Sequence, residues 1–438
     1  MKTTIPNESA PPTPPRRNPW LWVPSLYVAE GIPYIIAMIV SVVLYKRLGI
    51  SNTDIALYTS WLYLPWVIKP LWSPFVEMFR TKRFWIVAMQ VIVGSSFACV
   101  ALTIPAPSFF RYTLAMFWIM AFSSATHDIA ADGFYMLGLS QRRQAEFVGV
   151  RTIFYRIATI AAKGGLVILA GSLEAKGWSV ASAWSVAFFL AAAVFASLCL
   201  YHLFVLPSPA ADRPTFQRNS GRVSSEYFRM IALFFRRKDI LAVLAFFFLY
   251  RLAETQLVKM VAPFLLDPRT KGGLGLTTSE VGIVYGTVGA VALMAGGLLG
   301  GYVISRQGLR FWIWPMVVAM HLPDLVFVWL SYAMPEDFHL INAAIALEQF
   351  GYGFGFTAYT MYMIMVSDGP YKTVHYAIST GIMALGMMIP AMFSGWLQEL
   401  MGYRWFFLWV MLTTLPSFLV VAVVKIDPAF GRKEEANR

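Results

Sequence analysis

Twelve apolar stretches of this chain are each long enough to cross a lipid bilayer as an α-helix. A spanning helix needs about 20 mainly apolar residues, because the hydrocarbon core of a bilayer is about 30 Å thick. The stretches lie at 20–45, 54–77, 84–104, 111–138, 147–172, 180–205, 239–265, 278–303, 311–333, 339–366, 373–397 and 403–426. They are continuous runs without period-two alternation, which excludes a membrane β-barrel. We therefore predict an all-α polytopic membrane protein with twelve transmembrane helices.

The basic character of the chain is explained by membrane topology. Only 13% of the 438 residues are charged, whereas soluble domains carry roughly 25%, yet the net charge is +12. If the N-terminus is cytoplasmic, most of the 35 Lys and Arg residues fall in inner segments, as the positive-inside rule expects. We therefore predict that both termini are cytoplasmic, and the basicity requires no nucleic-acid partner.

The polar stretches divide the chain into two groups of six helices. We predict a disordered cytoplasmic N-terminus at 1–19, a six-helix bundle at 20–206, a cytoplasmic loop with an amphipathic helix at 207–238, a second six-helix bundle at 239–426 and a cytoplasmic tail at 427–438. The N-terminal segment has no apolar core, so we expect no cleavable signal peptide. Cys99 and Cys199 lie in apolar helices, and we expect both to be free buried thiols.

A short internal echo supports two parallel repeats. The stretch from Leu48 to Ile55 (LGISNTDI) matches the stretch from Leu274 to Val281 (LGLTTSEV), and each precedes the second helix of its half. In both copies a hydroxyl residue with an acid three positions later predicts a helix N-cap. Two six-helix pseudo-repeats are the organisation of the major facilitator superfamily.

A loop after the eighth helix resembles the cytoplasmic signature loop of that superfamily. It runs from Gly301 to Arg310 (GYVISRQGLR), with Ser305 in place of the usual acid, and a looser version lies in the first half. We expect a tight turn whose charges dock against neighbouring helix ends and so gate or brace the protein without selecting substrate. The predicted gate residues are Glu77, Arg80, Arg306 and Arg310.

Charged residues lie deep inside the apolar stretches. The basic ones are Lys69, Arg151, Arg156, Lys163, Arg251 and Lys259, and the acidic ones are Glu30, Asp128, Asp132, Glu254, Asp324 and Glu348. Each charge at the centre of a bilayer costs about 2.5–3.5 kcal/mol on insertion scales. These side chains must therefore face one another or a wet cavity, which in a polytopic protein usually means a transport path.

Asp128 and Asp132 of the fourth helix are four residues apart and share one face. Two carboxylates this close, away from water, form a plausible site for loading and releasing a proton. Counting from the loop that joins the fourth and fifth helices, Asp132 lies near the level of Arg151 and Asp128 near Arg156. The pairs can be salt bridges that switch during transport, purely structural pairs, or parts of a cytoplasmic gate.

Other charged and aromatic residues are candidates for substrate contacts. Arg156 and Lys163 share a face of the fifth helix and could hold carboxylates of an anionic substrate, unless Arg156 only neutralises Asp128. Glu30 precedes Gly31 and Pro33, which weaken the helix, and is either a proton or substrate residue or a buried partner of Lys69. Further aromatic candidates for stacking on sugar rings are Tyr34, Trp66 and Tyr359, although most aromatics are core or interface residues.

The second half has its own candidate set. Arg251 and Glu254, three residues apart, are expected to neutralise each other, and Lys259 is free to meet Glu348 of the tenth helix. Gln349 follows Glu348 and precedes alternating glycines that permit close packing. His321 and Asp324 share a face of the ninth helix, which is usually peripheral in this architecture, so we interpret them as structural.

These residues make the chain resemble the AmpG-type permeases of the major facilitator superfamily. The similar passages are Glu30 to Pro33, Leu71 to Phe75, Ala125 to Asp132, Tyr155 with Arg156, Ser279 to Gly282, and Glu348 with Gln349 and its glycines. The acetyl-CoA carriers share the passage around Asp128. The resemblance implies import of anhydro-muropeptides (GlcNAc–anhydro-MurNAc with or without peptide) across a bacterial inner membrane, with Asp128 in the proton-linked machinery. His127, where the family often has Gln, is a departure.

The sequence therefore predicts a proton-coupled importer that works by alternating access and serves cell-wall recycling. Proton coupling is assigned to Asp128, Asp132 and Glu30. Substrate binding is assigned to Lys69, Arg156, Lys163, Arg251, Glu254, Lys259, Glu348, Gln349, Tyr34 and Trp66. The alternatives are a carrier for another bulky anion, such as a siderophore or an acyl-CoA, and a transporter-shaped sensor.

No His-rich metal set, nucleophile elbow or phosphate loop indicates an enzyme. We expect no cofactor and no metal. The expected partners are protons, membrane lipid and a small glycopeptide or acidic sugar, and the expected state is a monomer.

Overall fold

The structure is a computed structural model, and it describes residues 17–139, 141–209, 212–213, 229–368, 372–428 and 430–431. Most of the predicted N-terminal segment, most of the predicted amphipathic helix and most of the tail lie outside these residues. The described part of that amphipathic helix, residues 229–235, is helical. In the described residues the chain forms helices and no strands.

In the described part of the chain twelve helical spans follow one another, which confirms the predicted all-α fold. They are α1 (Pro19–Arg47), α2 (52–78), α3 (Lys82–Thr103), α4 (Phe109–Gly138), α5 (141–175), α6 (Val180–Val205), α7 (Ile240–Leu266), α8 (Thr278–Gln307), α9 (Leu309–Ala333), α10 (Phe338–Ser367), α11 (372–401) and α12 (403–423). The last two are one continuous run broken at Gly402, whose φ of 74° lies in the left-handed region that glycine tolerates.

Length and composition alone make most of these helices able to span a membrane. Eight helical stretches of the described chain meet that test, and one of them, Val374–Val423, contains both α11 and α12. The other three, α2, α4 and α10, are as long but carry polar residues such as Lys69, Asp128 and Glu348 in their middle parts. The least apolar spans are therefore among those that supply the predicted site.

Several spans are locally irregular at mid-depth. In α1 a π-helical segment covers Ile36–Val40, in α5 another covers Ala161–Leu166, and in α8 a third covers Gly282–Val288. Such wide turns are rare and often mark functional positions. The predicted weakening of α1 by Gly31 and Pro33 is misplaced, because Val23–Ile35 stays helical through both residues and the irregular segment follows it.

The predicted N-caps of the repeated motif are confirmed in both halves. Ser51 accepts a hydrogen bond from the backbone N–H of Asp54 at the start of α2. Thr277 accepts one from Glu280 at the start of α8, where the Glu280 side chain also returns to the Thr277 N–H in a capping box. The repeated sequence motif therefore forms the same local structure in both halves.

The two halves touch along helices α2, α5, α8 and α11. A Cβ added at Gly286 of α8 would overlap the carbonyl oxygen of Lys163 in α5, and one added at Gly395 of α11 would overlap that of Asn52 in α2. Only glycine allows such backbone approaches. Within the second half, Gly351 of α10 permits the same closeness to Ala319 of α9.

The two cysteines differ in burial. Cys199 is a buried free thiol as predicted, whereas Cys99 is free but exposed on the outer surface of α3. The prediction for Cys99 was wrong because an apolar helix that faces lipid has the same composition as one that faces the core.

Candidate functional site

A cluster of ionisable side chains lies inside the first half, between α1, α2 and α4. Lys69 of α2 forms an ion pair with Asp128 of α4. Glu30 of α1 is buried beside Asp128, and its Oε2 has no hydrogen-bond partner among the described residues. The predicted pair of Glu30 with Lys69 is therefore not formed, because Asp128 takes the ammonium group.

Asp132 and Arg151 form a second ion pair in the same half. The Arg151 Nη2 atom lies 3.1 Å from Asp132 Oδ1, which confirms the predicted contact. The Tyr27 hydroxyl donates to the same Asp132 oxygen at 3.1 Å, and the Arg151 guanidinium lies 4.6 Å from the Tyr27 ring centre and 5.2 Å from that of Tyr135. The sequence did not indicate a role for these two tyrosines, because the helical spacing of an aromatic residue is the same whether it packs in the core or contacts a charged group.

Arg156 does not meet Asp128 as predicted. Antiparallel counting put the two at one level, but Lys69 approaches Asp128 from α2 instead. Arg156 is half-buried and makes no ion pair with any residue in the described part of the chain. Counting residues along a helix gives the depth of each side chain in the membrane, but it does not give the direction in which that side chain points.

Lys163 lies at the contact between the two halves. Its ammonium nitrogen is 3.2 Å from the centre of the Tyr285 ring in α8, in a cation–π contact. The π-helical segments Ala161–Leu166 and Gly282–Val288 carry these two residues, and Gly164 and Gly286 let the two backbones meet beside them. The close approach therefore delivers a buried cation of one half onto an aromatic face of the other.

Lys259 of α7 reaches across in the opposite direction. Its Nζ donates a hydrogen bond of 2.9 Å to the hydroxyl of Thr59 in α2 and lies 5.8 Å from the centre of the Tyr63 ring. The predicted contact with Glu348 is not formed, because Lys259 points toward the first half. A small cavity between the halves is lined by Lys259, Tyr63 and Tyr285 among others.

Arg251 is the third buried cation of this group. It lies at an interruption of α7, between Ile240–Leu249 and Leu252–Leu266. Its guanidinium donates to the Tyr352 hydroxyl and lies 4.6 Å from the centre of the Phe356 ring. The predicted ion pair of Arg251 with Glu254 is not formed, because the break in the helix turns Arg251 toward Tyr352 of α10.

The acids of the second half form a cluster of their own. Carboxylate oxygens of Glu254, Asp324 and Glu348 lie within 4.8 Å of one another. Gln349 Nε2 donates to Glu348 Oε2 at 3.0 Å, and His321 Nδ1 lies 3.4 Å from Asp324 Oδ2. His321 and Asp324 lie on one face as predicted, but Asp324 belongs to a buried cluster and is not peripheral.

The aromatic candidates fall into two environments. Tyr34 is half-buried, with its ring 5.1 Å from that of Trp66 and 6.4 Å from that of Tyr63, so these rings form one cluster in the first half. Tyr359 is fully buried, and its hydroxyl donates to the carbonyl of Phe247 at 3.2 Å. Tyr359 is therefore a core residue, whereas Tyr34 and Trp66 stay available to a ligand.

A polar network, which we call the latch, joins the halves where α1 and α7 end. Lys46 Nζ lies 2.6 Å from Asp267 Oδ1, and the Tyr403 hydroxyl donates to Asp267 Oδ2 at 2.6 Å. Asn52 donates to Gln398 at 2.6 Å and to the Tyr403 hydroxyl at 3.0 Å. The latch therefore ties α1 and α2 of the first half to α7, α11 and α12 of the second.

A second bridge lies beside the latch. Glu174 at the end of α5 accepts from Arg47 at 2.8 Å and from the Thr278 hydroxyl of α8 at 2.7 Å. Sequence reasoning missed the latch and this bridge, since charges at helix ends look like ordinary loop residues. The residues of the latch and the bridge include several that lie next to or within the two copies of the repeated motif, and this position in the sequence could have indicated them.

The predicted gate residues lie at the other end of the spans. Gly308 makes the predicted tight turn between α8 and α9, with a φ of 87°. Arg306, Arg310 and Arg80 are exposed and form no ion pair with a described residue, so the predicted docking of their charges on helix ends is not observed. The side chain of Glu77 lies outside the described part of the structure.

Comparisons with known proteins agree with this architecture. Residues 26–375 match the family model described as Major Facilitator Superfamily. A putative transporter AmpG 4 of Rickettsia conorii is 23% identical, covering 90% of this chain and 94% of the relative. The anhydromuropeptide permease of Escherichia coli K12 is 22% identical, covering 91% of this chain and 78% of the relative.

Solved structures match in fold. A mutant form of the nucleoside transporter NupG superposes with a TM-score of 0.69 at 14% identity, covering 93% of this chain and all of that one. A bacterial homologue of the lysosomal transporter Spinster, in an inward-facing conformation, gives 0.68 at 16% identity, covering 94% and 96%. The twelve-helix arrangement in two halves is therefore shared with known membrane transporters.

Proposed function

Since this chain belongs to the Major Facilitator Superfamily, we propose that it imports anhydro-muropeptides, driven by protons, across a bacterial inner membrane. The proposal takes the substrate class from the relatives named AmpG and anhydromuropeptide permease. It takes the inward direction, the proton coupling and the cytoplasmic termini from the sequence. On that topology the latch closes the outer end of the protein.

The observation that carries the proposal is a set of buried cations between the halves that have neutral partners. Lys163, Lys259 and Arg251 are each no more than 6% exposed. They contact an aromatic ring, a threonine hydroxyl and a tyrosine hydroxyl, and none lies within ion-pair distance of a described carboxylate. Burying a cation without a counter-charge is costly. An anionic substrate would supply the missing charge.

The other candidate residues of the first half also suit the chemical groups of the proposed substrate. Arg156 is half-buried and has no ion-pair partner among the described residues, so its planar fork is free to bind a carboxylate at two points. Tyr34 and Trp66 offer ring faces at the first half, and such faces pack well against sugar rings. Carboxylates and sugar rings are the two recognisable parts of an anhydro-muropeptide.

Proton coupling is assigned to the cluster of the first half. Glu30 and Asp128 lie side by side in a site largely closed to water, so the two carboxyl groups can share a proton while Lys69 balances the remaining charge. Release of that proton would leave two carboxylates competing for Lys69 and favour rearrangement of α1, α2 and α4. Asp132, held by Arg151 and Tyr27, is the neighbouring acid that this rearrangement would affect.

The test of coupling is uptake of labelled GlcNAc–anhydro-MurNAc into proteoliposomes driven by an inward proton gradient. Asp128→Asn is expected to abolish accumulation against a gradient while counterflow exchange of labelled for unlabelled substrate persists. Persistence of exchange shows that the variant still folds and binds. Gradient-driven accumulation at the wild-type level by Asp128→Asn would end the coupling assignment.

The test of substrate binding uses the buried lysines. Lys163→Gln and Lys259→Gln are each expected to raise the KM for uptake at least tenfold, because each removes a counter-charge of the bound anion. Lys271→Gln is the matched control, since Lys271 is exposed beyond the end of α7. Unchanged KM in both buried variants, or no uptake of any anhydro-muropeptide by the wild type, would contradict the proposed substrate.

A further inference from the structure

Three carboxylates of the second half meet in the protein interior, and no Lys or Arg of the described chain forms an ion pair with any of them. Glu254 of α7, Asp324 of α9 and Glu348 of α10 are each no more than 2% exposed, and one oxygen from each lies within 4.8 Å of the others. We call them the carboxylate triad. In the same half Arg251 donates to the Tyr352 hydroxyl and Lys259 to the Thr59 hydroxyl.

The fold brings the triad together at irregular backbone positions. Glu254 lies in the first turn after the interruption of α7, and Asp324 ends a 3-10 turn, Leu322–Asp324, that interrupts α9. Gly351 of α10 lets α9 approach so closely that a Cβ there would overlap the carbonyl of Ala319 and lie 2.8 Å from Pro323. Irregular backbone at membrane depth is tolerated where it lines a site.

A second observation points to a ligand at the triad. Both carboxylate oxygens of Glu254 and the Oδ1 atom of Asp324 are buried and have no hydrogen-bond partner in the described chain. Other acids of the spans and their ends do have basic partners, as Asp128 has Lys69, Asp132 has Arg151 and Asp267 has Lys46. An ionised carboxylate that is buried without a partner is costly, and the cost is removed by protonation, by pairing or by a bound cation.

The chemistry of the donors defines the class of cation. All three ligands are carboxylate oxygens, which suit hard cations, while softer transition metals prefer imidazole and thiolate. Hard cations such as Ca²⁺ hold oxygens at about 2.3–2.6 Å, so ligand oxygens on opposite sides of the ion are up to about 5 Å apart. The 4.8 Å spread of the triad fits that spacing. Gln349 and His321 orient Glu348 and Asp324 from outside, as partners of metal ligands commonly do.

We propose that the carboxylate triad binds a hard metal cation of the size of Na⁺ or Ca²⁺. The site lies in the second half, apart from the proton cluster of Glu30 and Asp128. A cation there would tie α7, α9 and α10 together around the interruptions of α7 and α9. The proposal does not depend on the identity of the transported substrate.

The test is ion-dependent stability and binding of the full-length protein in detergent or nanodiscs. The Tm is measured at fixed pH and ionic strength in Na⁺, Ca²⁺, Mg²⁺ or K⁺, with N-methylglucamine as the metal-free reference. Equilibrium binding of radioactive ²²Na⁺ or ⁴⁵Ca²⁺ gives the stoichiometry. We expect about one ion per chain and a Tm higher by a few degrees in Na⁺ or Ca²⁺, because a ligand that binds only the folded state stabilises it.

Two variants and a control decide whether the triad is the site. Glu254→Gln and Glu348→Gln are each expected to weaken isotope binding at least tenfold and to remove the ion-dependent part of the Tm. Asp239→Asn, at an exposed acid outside the spans, is expected to leave both unchanged.

Three results would overturn the proposal. They are equal Tm in every cation, binding of isotope by both triad variants at the wild-type level, and stability that depends on pH but not on metal. The last result would mean that the triad holds protons only. Each of these readouts is independent of substrate uptake, so failure here is distinguishable from failure of the proposed transport function.

Discussion

Loss of the Asp267 charge should open the latched end of the protein. Asp267→Asn keeps the shape of the side chain and one oxygen for the Tyr403 hydroxyl, but it leaves Lys46 without its counter-charge. Because the ion pair joins α1 of one half to α7 of the other, only the conformation with this end closed can contain it. The substitution therefore destabilises that conformation relative to one in which the end is open.

The size of the effect follows from the burial of the pair. Removing one partner of a fully buried pair costs about 3–5 kcal/mol, whereas an exposed pair contributes at most about 1 kcal/mol. The two side chains are 14% and 9% exposed, so we expect about 2–3 kcal/mol, between these limits. At about 1.4 kcal/mol per tenfold, the ratio of closed to open conformers should fall by a factor of about 30–140.

The assay is a distance measurement across the latched end. Spin labels at Lys176→Cys and Lys271→Cys, both exposed at this end, report the separation of the halves by double electron–electron resonance in a variant without native cysteines. We expect Asp267→Asn to add a population at longer distance. Glu336→Gln is the control, because that acid is 89% exposed in its pair with Arg269. A distance distribution identical to that of the parent protein would refute the reasoning.

Three further predictions concern single contacts. Gly286→Ala should lower the Tm and uptake, since the new Cβ would overlap the Lys163 carbonyl and overpacking costs about 1–3 kcal/mol. The control Gly301→Ala has open space around its Cβ and should change neither, so equal behaviour of the two variants would contradict the close contact. Tyr27→Phe should cost about 0.5–1.5 kcal/mol of stability through loss of the Asp132 hydrogen bond, measured by chemical or thermal unfolding, and an unchanged value would mean that this bond contributes nothing. Lys69→Gln should lower the Tm by leaving Asp128 unpaired. Adding Asp128→Asn should restore most of the lost Tm without restoring gradient-driven uptake, and additive losses of Tm would show that the two residues do not interact.

Much of the fold was predictable because its causes are local. The length of each apolar stretch sets the span, and the predicted and observed helices agree closely in the residues that the structure describes. The caps at Ser51 and Thr277 depend on residues three positions apart, so the repeated motif was sufficient to predict them. The contacts of Asp132 with Arg151 and of His321 with Asp324 were also predictable, because each joins residues of one helix or of neighbouring helices.

What the sequence by itself determined is therefore the all-helical, twelve-span fold in two halves and the presence of charges that must avoid lipid. Only the tertiary structure decided the partners: Lys69 for Asp128, Tyr285 for Lys163, Thr59 for Lys259, and the meeting of Glu254 with two other acids. The physical reason is that a residue's position along its helix gives its depth in the membrane, but not the direction that it faces. That direction is set by π segments, interruptions and glycine contacts between distant helices, which no local pattern specifies.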